Sequence, residues 1–400
     1  MVIKLFFGET MVAGMVRFFS VAGMVRFFSL FAGLASSARF AGADMVALSL
    51  VENSPSGYQL LSVNESTGEL AILDGDNQPV HSELAGTGDL CAVDTSLGVW
   101  YYLGDTTAGT TLVGLSTADG SEVCSSTITS LAEIGIVGAG QTLDFDDSTE
   151  NGSLVMSGVS TTNSTQHAVL RLALGDGARR TIEGRKKQPR RDGGSVPGCG
   201  AADGTDGADA FEVLGYFGDA AYLPFIHASA IDSAGQRLFV TLQQGDDEVA
   251  TDVLAVGVVD LVNGESKYYS IAMDSALHLL YGIDYDRRED RLVGVVVNEA
   301  NSGLNLRSLK LGSSGDGSDA AWSELPLDGA PPEWRYLGGN AGTVSCLDEE
   351  NRVLFFEAGD PAPIGMFLAA VNIDTAATVA HRFYGDVPIS STGLTMLSHF

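Results

Sequence analysis

A unit made of a strand, a tight polar turn and a second strand recurs along this chain, and it restricts the possible folds more than any other feature. The clearest copy is ASAIDSAGQRLFVTL, in which an apolar run ends at Asp232 and a second run follows a few polar residues. A short Asp side chain can accept hydrogen bonds from nearby backbone N–H groups and so close such a turn. The flanking runs are rich in Leu, Val and Phe, which favours strands.

The same unit is found in five more places. Its turn residues there are Asp94, Asp146, Asp286, Asp348 and, in a weaker copy, Asn53 with Glu52 beside it. A third apolar run and then a fourth follow each copy, as in DVLAVGVVDLVNGESKYYSIAM. The turn residues are about 40 to 60 residues apart, with one gap of about 86. Four strands in a period of this length are typical of the blades of a β-propeller.

The sequence therefore predicts an all-β chain whose residues 45–400 form a single β-propeller of six four-stranded blades. The final TGLTMLSHF resembles one more first strand with nothing after it. It either completes the blade begun by the N-terminal strand or starts a seventh blade. The long gap could alternatively conceal a degraded extra blade.

The long gap contains residues 177–210, which have almost no apolar side chains and many Gly, Arg and Asp. We expect a disordered loop here, inserted between the third strand (HAVLRLALG) and the fourth (FEVLGYFG) of the third blade. Translated intron sequence is an alternative. The loop contains Arg190 and Arg191, a candidate site for dibasic processing.

The N-terminus is typical of a targeting segment. Residues 12–20 and 21–29 are the same nonapeptide, VAGMVRFFS. From Met24 the chain has a short basic start, an uncharged stretch and small residues up to Ala38, which predicts a signal peptide cleaved there. Residues 1–23 would then be a duplicated upstream segment. We expect a secreted protein with no other membrane span; an uncleaved membrane anchor is the alternative.

Composition supports an extracellular protein and argues against one class of partner. The sequons at Asn64, Asn151 and Asn163 are compatible with glycosylation in the secretory pathway. The formal net charge of −29 argues against nucleic-acid binding, in which a basic face supplies most of the affinity. An acidic surface instead attracts cations or basic partners.

The four cysteines, Cys91, Cys124, Cys199 and Cys346, show no C-x-x-C spacing and are too few for a scaffold built on disulfides. Cys91 and Cys346 fall on first strands of blades that are not neighbours, so we expect buried free thiols. Cys124 lies on an outer strand and Cys199 lies in the inserted loop.

One stretch carries a family resemblance. AIDSAGQRLFVTL and DVLAVGVVDLVNGE resemble the repeats of YVTN/NHL-like and quinoprotein-dehydrogenase-like propellers, whereas the Trp-Asp and Gly-His signatures of WD40 repeats are absent. These superfamilies include enzymes, ligand binders and scaffolds. The resemblance therefore implies a fold over residues 45–400 and no particular function.

Sequence motifs for catalysis or cofactor binding are missing. There is no G-x-S-x-G, H-E-x-x-H, Walker or EF-hand pattern, and the six histidines are scattered. The acidic run DFDDSTENG, Asp144 to Gly152, could hold calcium through oxygen ligands, but a solvated hairpin with Asp capping is the favoured interpretation. The runs DYDRRED and DEEN are interpreted in the same way, and no cofactor is expected apart from this weak calcium candidate.

A positional pattern suggests a ligand site. In the aligned repeats, the position five residues before each turn Asp holds a polar side chain: Asp89, Gln141, His227, Tyr281 and Thr343. The first strand of each blade lines the central channel, so these side chains could ring its mouth. The first unit breaks the pattern with Ala47 or Leu48. The alternative is that strand starts are simply polar.

Two function classes remain open. The first is a secreted or cell-surface propeller, monomeric, that binds a protein, glycan or small ligand through one face. The second is a propeller hydrolase or lyase with its site at the channel mouth. Converging carboxylates, a His pair or a bound cation in the channel would favour the enzyme, and an apolar or aromatic face would favour binding.

Overall fold

The computed structural model describes residues 45–51, 57–63, 70–73, 91–106, 109–128, 136–137, 142–149, 152–160, 166–175, 199, 211–218, 222–223, 228–244, 254–270, 277–280, 283–298, 303–312, 321–331, 336–337, 345–359, 366–385 and 391–396. All of them belong to a compact unit of residues 43–400. The predicted signal segment, the three sequons, the dibasic site and all of residues 177–210 except Cys199 lie outside them. Within these ranges no helix is long and apolar enough to cross a membrane.

The described strands form six antiparallel sheets. Sheet 1 contains β1 (Met45–Val51), β2 (Gly57–Val63) and β3 (Leu70–Ile72). Sheet 2 contains β4 (Cys91–Asp94), β5 (Val99–Thr106), β6 (Gly109–Ser116) and β7 (Glu122–Thr127). Sheet 3 contains β8 (Ile136–Val137), β9 (Leu143–Asp146), β10 (Ser153–Ser160), β11 (His167–Ala173) and β12 (Phe211–Phe217). Sheet 4 contains β13 (Tyr222–Leu223), β14 (Ser229–Asp232), β15 (Arg237–Gln244), β16 (Leu254–Asp260) and β17 (Ser266–Ser270). Sheet 5 contains β18 (Leu277–Leu280), β19 (Asp284–Asp286), β20 (Arg291–Asn298), β21 (Gly303–Lys310) and β22 (Ala321–Pro326). Sheet 6 contains β23 (Tyr336–Leu337), β24 (Ser345–Asp348), β25 (Val353–Gly359), β26 (Met366–Asn372) and β27 (Thr378–Gly385).

Sheets 3 to 6 are four-stranded blades whose first strand is interrupted. In sheet 3 the short strands β8 and β9 both pair with β10, and they lie along the same edge of it. The pairs β13 and β14, β18 and β19, and β23 and β24 are arranged in the same way against β15, β20 and β25. The first strand therefore begins earlier than the repeat predicted.

The last strand, β28 (Ser391–Met396), pairs with β1 and completes sheet 1 as its first strand. The inner strands contact one another in the cyclic order β28, β4, β9, β14, β19 and β24, and β24 contacts β28 in turn. The unit is a single all-β propeller closed by its C-terminal strand, as expected for TGLTMLSHF. One prediction was wrong: β1 is the second strand of its blade, so Glu52 and Asn53 do not follow a first strand.

The apolar core lies between neighbouring sheets. In β10 the side chains of Leu154 and Met156 pack with residues of sheet 2, whereas Val155 packs with residues of sheet 4. Further clusters join sheets 4 and 5, sheets 5 and 6, and sheets 1 and 2. A blade with neighbours on both faces needs apolar side chains on both, which explains the continuous hydrophobic runs in the sequence.

The aspartates that end the inner strands close the turns, as predicted. Asp232 accepts a hydrogen bond from the backbone N–H of Gly235 at 2.9 Å, and Asp348 accepts one from Asn351 at 2.9 Å. Each turn then ends with a residue of positive φ just before the second strand. These residues are Gly98, Gly152, Gln236, Asp290 and Arg352.

Where this last residue is not glycine, its side chain reaches the preceding sheet; we call such a contact a turn lock. Gln236 donates to Ser148 at 2.8 Å and to Asp146 at 3.3 Å. Asp290 accepts from Arg237 at 2.8 Å. Arg352 donates through both terminal nitrogens to Asp286.

The turn locks correct the interpretation of two acidic runs, DFDDSTENG and DYDRRED, as solvated hairpins, because the turn aspartate of each is buried. Asp146 and Asp286 are both 0% exposed. Burial opposes ionisation of Asp286, but hydrogen bonds from Arg352 and Arg291 outweigh it and hold the pKa of this carboxyl below its ordinary value. The ionised carboxylate is therefore the stable form inside the ring.

The cysteines are divided between two states. Cys91 and Cys346 are buried and belong to no disulfide, as predicted. Cys124 and Cys199 form a disulfide, with their Cα atoms 4.9 Å apart, which the sequence did not indicate.

We expect Arg352→Ala to lower the free energy of unfolding by about 3 kcal/mol, because it leaves the buried carboxylate of Asp286 with one guanidinium instead of two. Denaturant unfolding near pH 7 measures the loss. Arg288→Ala removes an exposed arginine from the turn that ends at Asp290 and should change stability by less than about 0.5 kcal/mol. Equal effects of the two substitutions would contradict the turn lock.

Gly264→Ala should destabilise the protein more than Gly329→Ala, although both glycines have nearly the same positive φ, 73° and 74°. An added Cβ at Gly264, in the turn between β16 and β17, would lie 2.0 Å from the carbonyl oxygen of Leu214 in sheet 3. At Gly329 the nearest atom would be 3.9 Å away. Gly329→Ala therefore measures the backbone strain alone, about 1 kcal/mol. A similar melting temperature for the two variants would contradict the close approach of sheets 3 and 4.

Candidate acid–base site on the inner strands

Two carboxyl groups stand on the inner strands before the turn Asp, and neither contacts an arginine within the described part of the chain. Asp144 is on β9 and Asp284 is on β19, and both strands contact β14, which lies between them. Each residue stands two positions before the buried turn Asp of its strand. The corresponding residues of the other described inner strands are small or apolar: Ala92, Ala230 and Cys346.

Each carboxyl group accepts a hydrogen bond from a serine of the next inner strand in the ring. Ser229 donates to Oδ2 of Asp144 at 2.7 Å, and Ser345 donates to Oδ2 of Asp284 at 2.8 Å. The two pairs are repeats of one arrangement, since both serines stand three positions before their own turn Asp. Both aspartates are half-buried.

Burial dominates the electrostatics of both groups. It raises the pKa of Asp144 to about 7, and the carboxyl of Asp284 adds to this, against the lowering effect of the Ser229 hydroxyl. Burial also raises the pKa of Asp284 to about 6, against hydrogen bonds from Ser345 and from the backbone of Leu347. Near neutral pH both the protonated and the ionised form of each carboxyl are therefore populated.

Carboxyls with pKa values close to neutrality can act chemically in two ways. They can ionise when a cationic group approaches and so bind it, or they can transfer protons as a general acid and base. Among the described residues, no group of three or more His, Cys, Asp or Glu side chains is arranged to hold a metal ion. Within DFDDSTENG, Asp146 accepts from Arg171 and from the backbone of Ser148. Calcium binding there is untested.

The five predicted ligand-binding residues lie outside the described residues: Asp89, Gln141, His227, Tyr281 and Thr343. The last four fall, along the chain, between the two segments of an interrupted inner strand rather than before its start. The comparison with Ala47 and Leu48 was wrong, because these residues belong to a second strand. The ring of polar side chains stays a prediction.

The aspartate pair was missed because the acidic runs were interpreted as whole turns. Asp144 was grouped with the carboxylates of DFDDSTENG, and Asp284 with those of DYDRRED. A signal was nevertheless present. Two positions before the turn Asp, three of five repeats have Ala or Cys. Burying a carboxylate at such a position without a partner has a high cost in free energy.

No protein-family model matches this chain, and no curated protein matches it in sequence. Solved structures match at low identity. TolB from Acinetobacter baumannii matches with a TM-score of 0.49 and 9% identity over 94% of this chain and 71% of that one. The periplasmic gluconolactonase of Pseudomonas aeruginosa matches with 0.42 and 10%, over 88% and 98%. A quinonprotein alcohol dehydrogenase-like protein from Bacteroides thetaiotaomicron matches with 0.39 and 10%, over 88% and 78%.

All three have TM-scores below 0.5 and identities of 10% or less, so they assign this chain to no family. At these values the similarity concerns architecture, which the strand pairing itself establishes. It does not select a ligand or a reaction.

Asp144→Asn should change how stability depends on pH. The folded-state pKa of about 7 is higher than the unfolded value of about 3.9, so the protonated carboxyl of Asp144 is favoured by folding. Asp144 therefore contributes to stability at low pH, where it is protonated. That contribution is complete below about pH 4 and is lost as the pH rises through about 7. From pH 5 to pH 8 the melting temperature of the wild type should therefore fall relative to that of Asp144→Asn.

The control is Asp147→Asn, which removes an exposed carboxylate three residues further along the chain. Its melting temperature should follow the wild-type pH curve. If Asp144→Asn also follows that curve, Asp144 titrates normally and the candidate site is refuted.

Proposed function

We propose that this chain is a secreted, monomeric β-propeller of six blades that binds a small ligand carrying a cationic group at the centre of the ring. The observation that carries the proposal is the pair Asp144 and Asp284, two electrostatically coupled carboxyls on inner strands with pKa values of about 7 and 6. A cation between them would favour ionisation of both, so part of the binding free energy comes from relieving their unfavourable burial.

The charge of the chain supports a cationic ligand. The formal net charge of −29 creates a negative potential that raises the local concentration of cations and speeds their association. The arginines near the inner strands contact the turn aspartates instead: Arg171 contacts Asp146, and Arg352 contacts Asp286. Asp144 and Asp284 are left to a group that comes from outside.

The remaining parts of the proposal have separate support. Six blades are supported by the six sheets and by the cyclic contacts of their inner strands. Secretion is supported by the Cys124–Cys199 disulfide, since such bonds persist in oxidising compartments. The signal-peptide pattern ending at Ala38 agrees with it.

The test is a thermal-shift screen of the purified mature chain at pH 8 with amines, polyamines and quaternary ammonium compounds, and with neutral sugars as a comparison. A cationic compound should raise the melting temperature, and calorimetry should show binding about 1000-fold weaker at pH 5. That pH lies two units below a pKa of about 7 and one unit below a pKa of about 6, and each unit reduces the ionised fraction about tenfold. Asp144→Asn and Asp284→Asn should abolish the effect, whereas Asp147→Asn should retain it. Stabilisation by neutral sugars alone, or binding that is equal at pH 5 and pH 8, would refute a cationic ligand.

A hydrolase is the second candidate, because converging carboxylates are also what general acid–base catalysis needs. A carboxyl with a pKa near 7 can donate a proton at neutral pH while a neighbour with a lower pKa accepts one. Screening with chromogenic ester and glycoside substrates tests this function. An enzyme would be favoured over a binding module if the hydrolysis rate has a bell-shaped pH profile with apparent pKa values near 6 and 7. The rate should also be lost in Asp144→Asn and kept in Asp147→Asn.

A further inference from the structure

The contacts between neighbouring sheets differ around the ring. Turn locks join sheets 3 and 4, sheets 4 and 5, and sheets 5 and 6, through Gln236, Asp290 and Arg352. At the boundary between sheets 2 and 3, the corresponding position holds Gly152, which has no side chain to reach back. An alanine there would bring its Cβ against the ring of Phe145, so a longer side chain at this position requires that ring to shift.

The turn Asp on the other side of this boundary confirms the difference. Asp94 of sheet 2 accepts hydrogen bonds from the backbone of Leu97 at 3.0 Å and from the hydroxyl of Ser96 at 2.6 Å, both within its own turn. In the described part of the chain, no guanidinium or amide from sheet 3 reaches it. Asp146 and Asp286, by contrast, each accept from the following sheet.

The disulfide crosses this same boundary. Cys124 lies on β7 of sheet 2, and Cys199 lies on the connection between β11 and β12 of sheet 3. The backbone N–H of Cys199 donates to the hydroxyl of Ser126 in sheet 2 at 2.8 Å. Its carbonyl oxygen accepts from the N–H of Gly175, just after β11, at 3.1 Å. Cys199 is thus held by both sheets, and it is 2% exposed although it belongs to a polar segment.

We propose that the Cys124–Cys199 disulfide is a redox-sensitive fastener that takes the place of the missing turn lock between sheets 2 and 3. A dithiol reductant opens it by thiol–disulfide exchange. One thiolate attacks a cystine sulfur, breaks the S–S bond and forms a mixed disulfide with the protein. The second thiolate then attacks the mixed disulfide and releases the remaining protein sulfur, so that the reductant leaves as its own disulfide. Two electrons pass to the protein sulfurs, and each sulfur takes up a proton. Because both cysteines are buried, a local opening must expose one of the sulfurs before a reductant can reach it.

Counting thiols is the first test. Protein secreted from eukaryotic cells and denatured without reductant should show two free thiols, Cys91 and Cys346, and four after reduction. Four free thiols before reduction would overturn the proposal. So would a disulfide that, on peptide mapping, joins any other pair of cysteines.

The second test separates a local fastener from a general stabiliser. Dithiothreitol should lower the melting temperature of the wild type by about 5 to 10 °C, because opening a loop of 75 residues restores much chain entropy to the unfolded state. Cys199→Ser should start from the lower melting temperature and not respond to dithiothreitol. Arg352→Ala, at a boundary that has a lock, should respond as the wild type does, since distant sites act independently.

Hydrogen exchange gives the local readout on wild-type protein, so the test does not depend on a variant that folds. Reduction should speed amide exchange at least tenfold in β4, β7 and β9, which border the boundary, and should change it little in β19 and β24. Equal acceleration in all five strands, or none, would overturn the assignment of the disulfide to this boundary.

Discussion

The ring depends on one backbone position, the residue of positive φ that ends each inner turn. A residue other than glycine costs about 1 kcal/mol or more in this conformation. Arg352 nevertheless occupies it, because from there its guanidinium reaches Asp286, a buried carboxylate whose pairing is worth about 3 to 5 kcal/mol to maintain. The free energy of the ion pair between Arg352 and Asp286 is larger than the cost of the positive φ at Arg352. The same comparison explains why Gln236 and Asp290 are tolerated, although glycine would relax the backbone.

These contacts also explain why a buried aspartate ends the inner strands β9 and β19. Asp286 closes its own turn and accepts from the guanidinium of the next blade, so one side chain fixes both a hairpin and a boundary between sheets. Apolar packing alone would let neighbouring sheets slide, since hydrophobic attraction has no direction. Hydrogen bonds to charged side chains remove that freedom at the three boundaries that have turn locks. The glycines at positions 98 and 152 leave the boundaries of sheet 2 without this device, and a disulfide is found at one of them.

The repeat and its spacing were sufficient to predict the all-β propeller, the turn role of Asp232 and the closing role of the last strand. They misplaced the first blade, because a first and a second strand are equally apolar when both faces of a blade are covered. They also missed the interruption of the inner strands, which leaves no mark in a hydrophobic pattern. To predict that Cys124 pairs with Cys199, one must know that a connection in sheet 3 lies against sheet 2. No local sequence pattern contains that information.

The candidate site follows from a contrast within two single strands. In β19, Asp284 is half-buried and Asp286, two residues further on, is fully buried. Burial raises the pKa of Asp284 to about 6, whereas two arginines lower the pKa of Asp286. In β9, Asp144 has a raised pKa, and Asp146 has an arginine partner. A group that served only structure could be replaced by alanine, as in β4 and β14. The proposed cation site therefore rests on two carboxyls at a position where three other repeats have Ala or Cys, neither of which contacts an arginine in the described part of the chain.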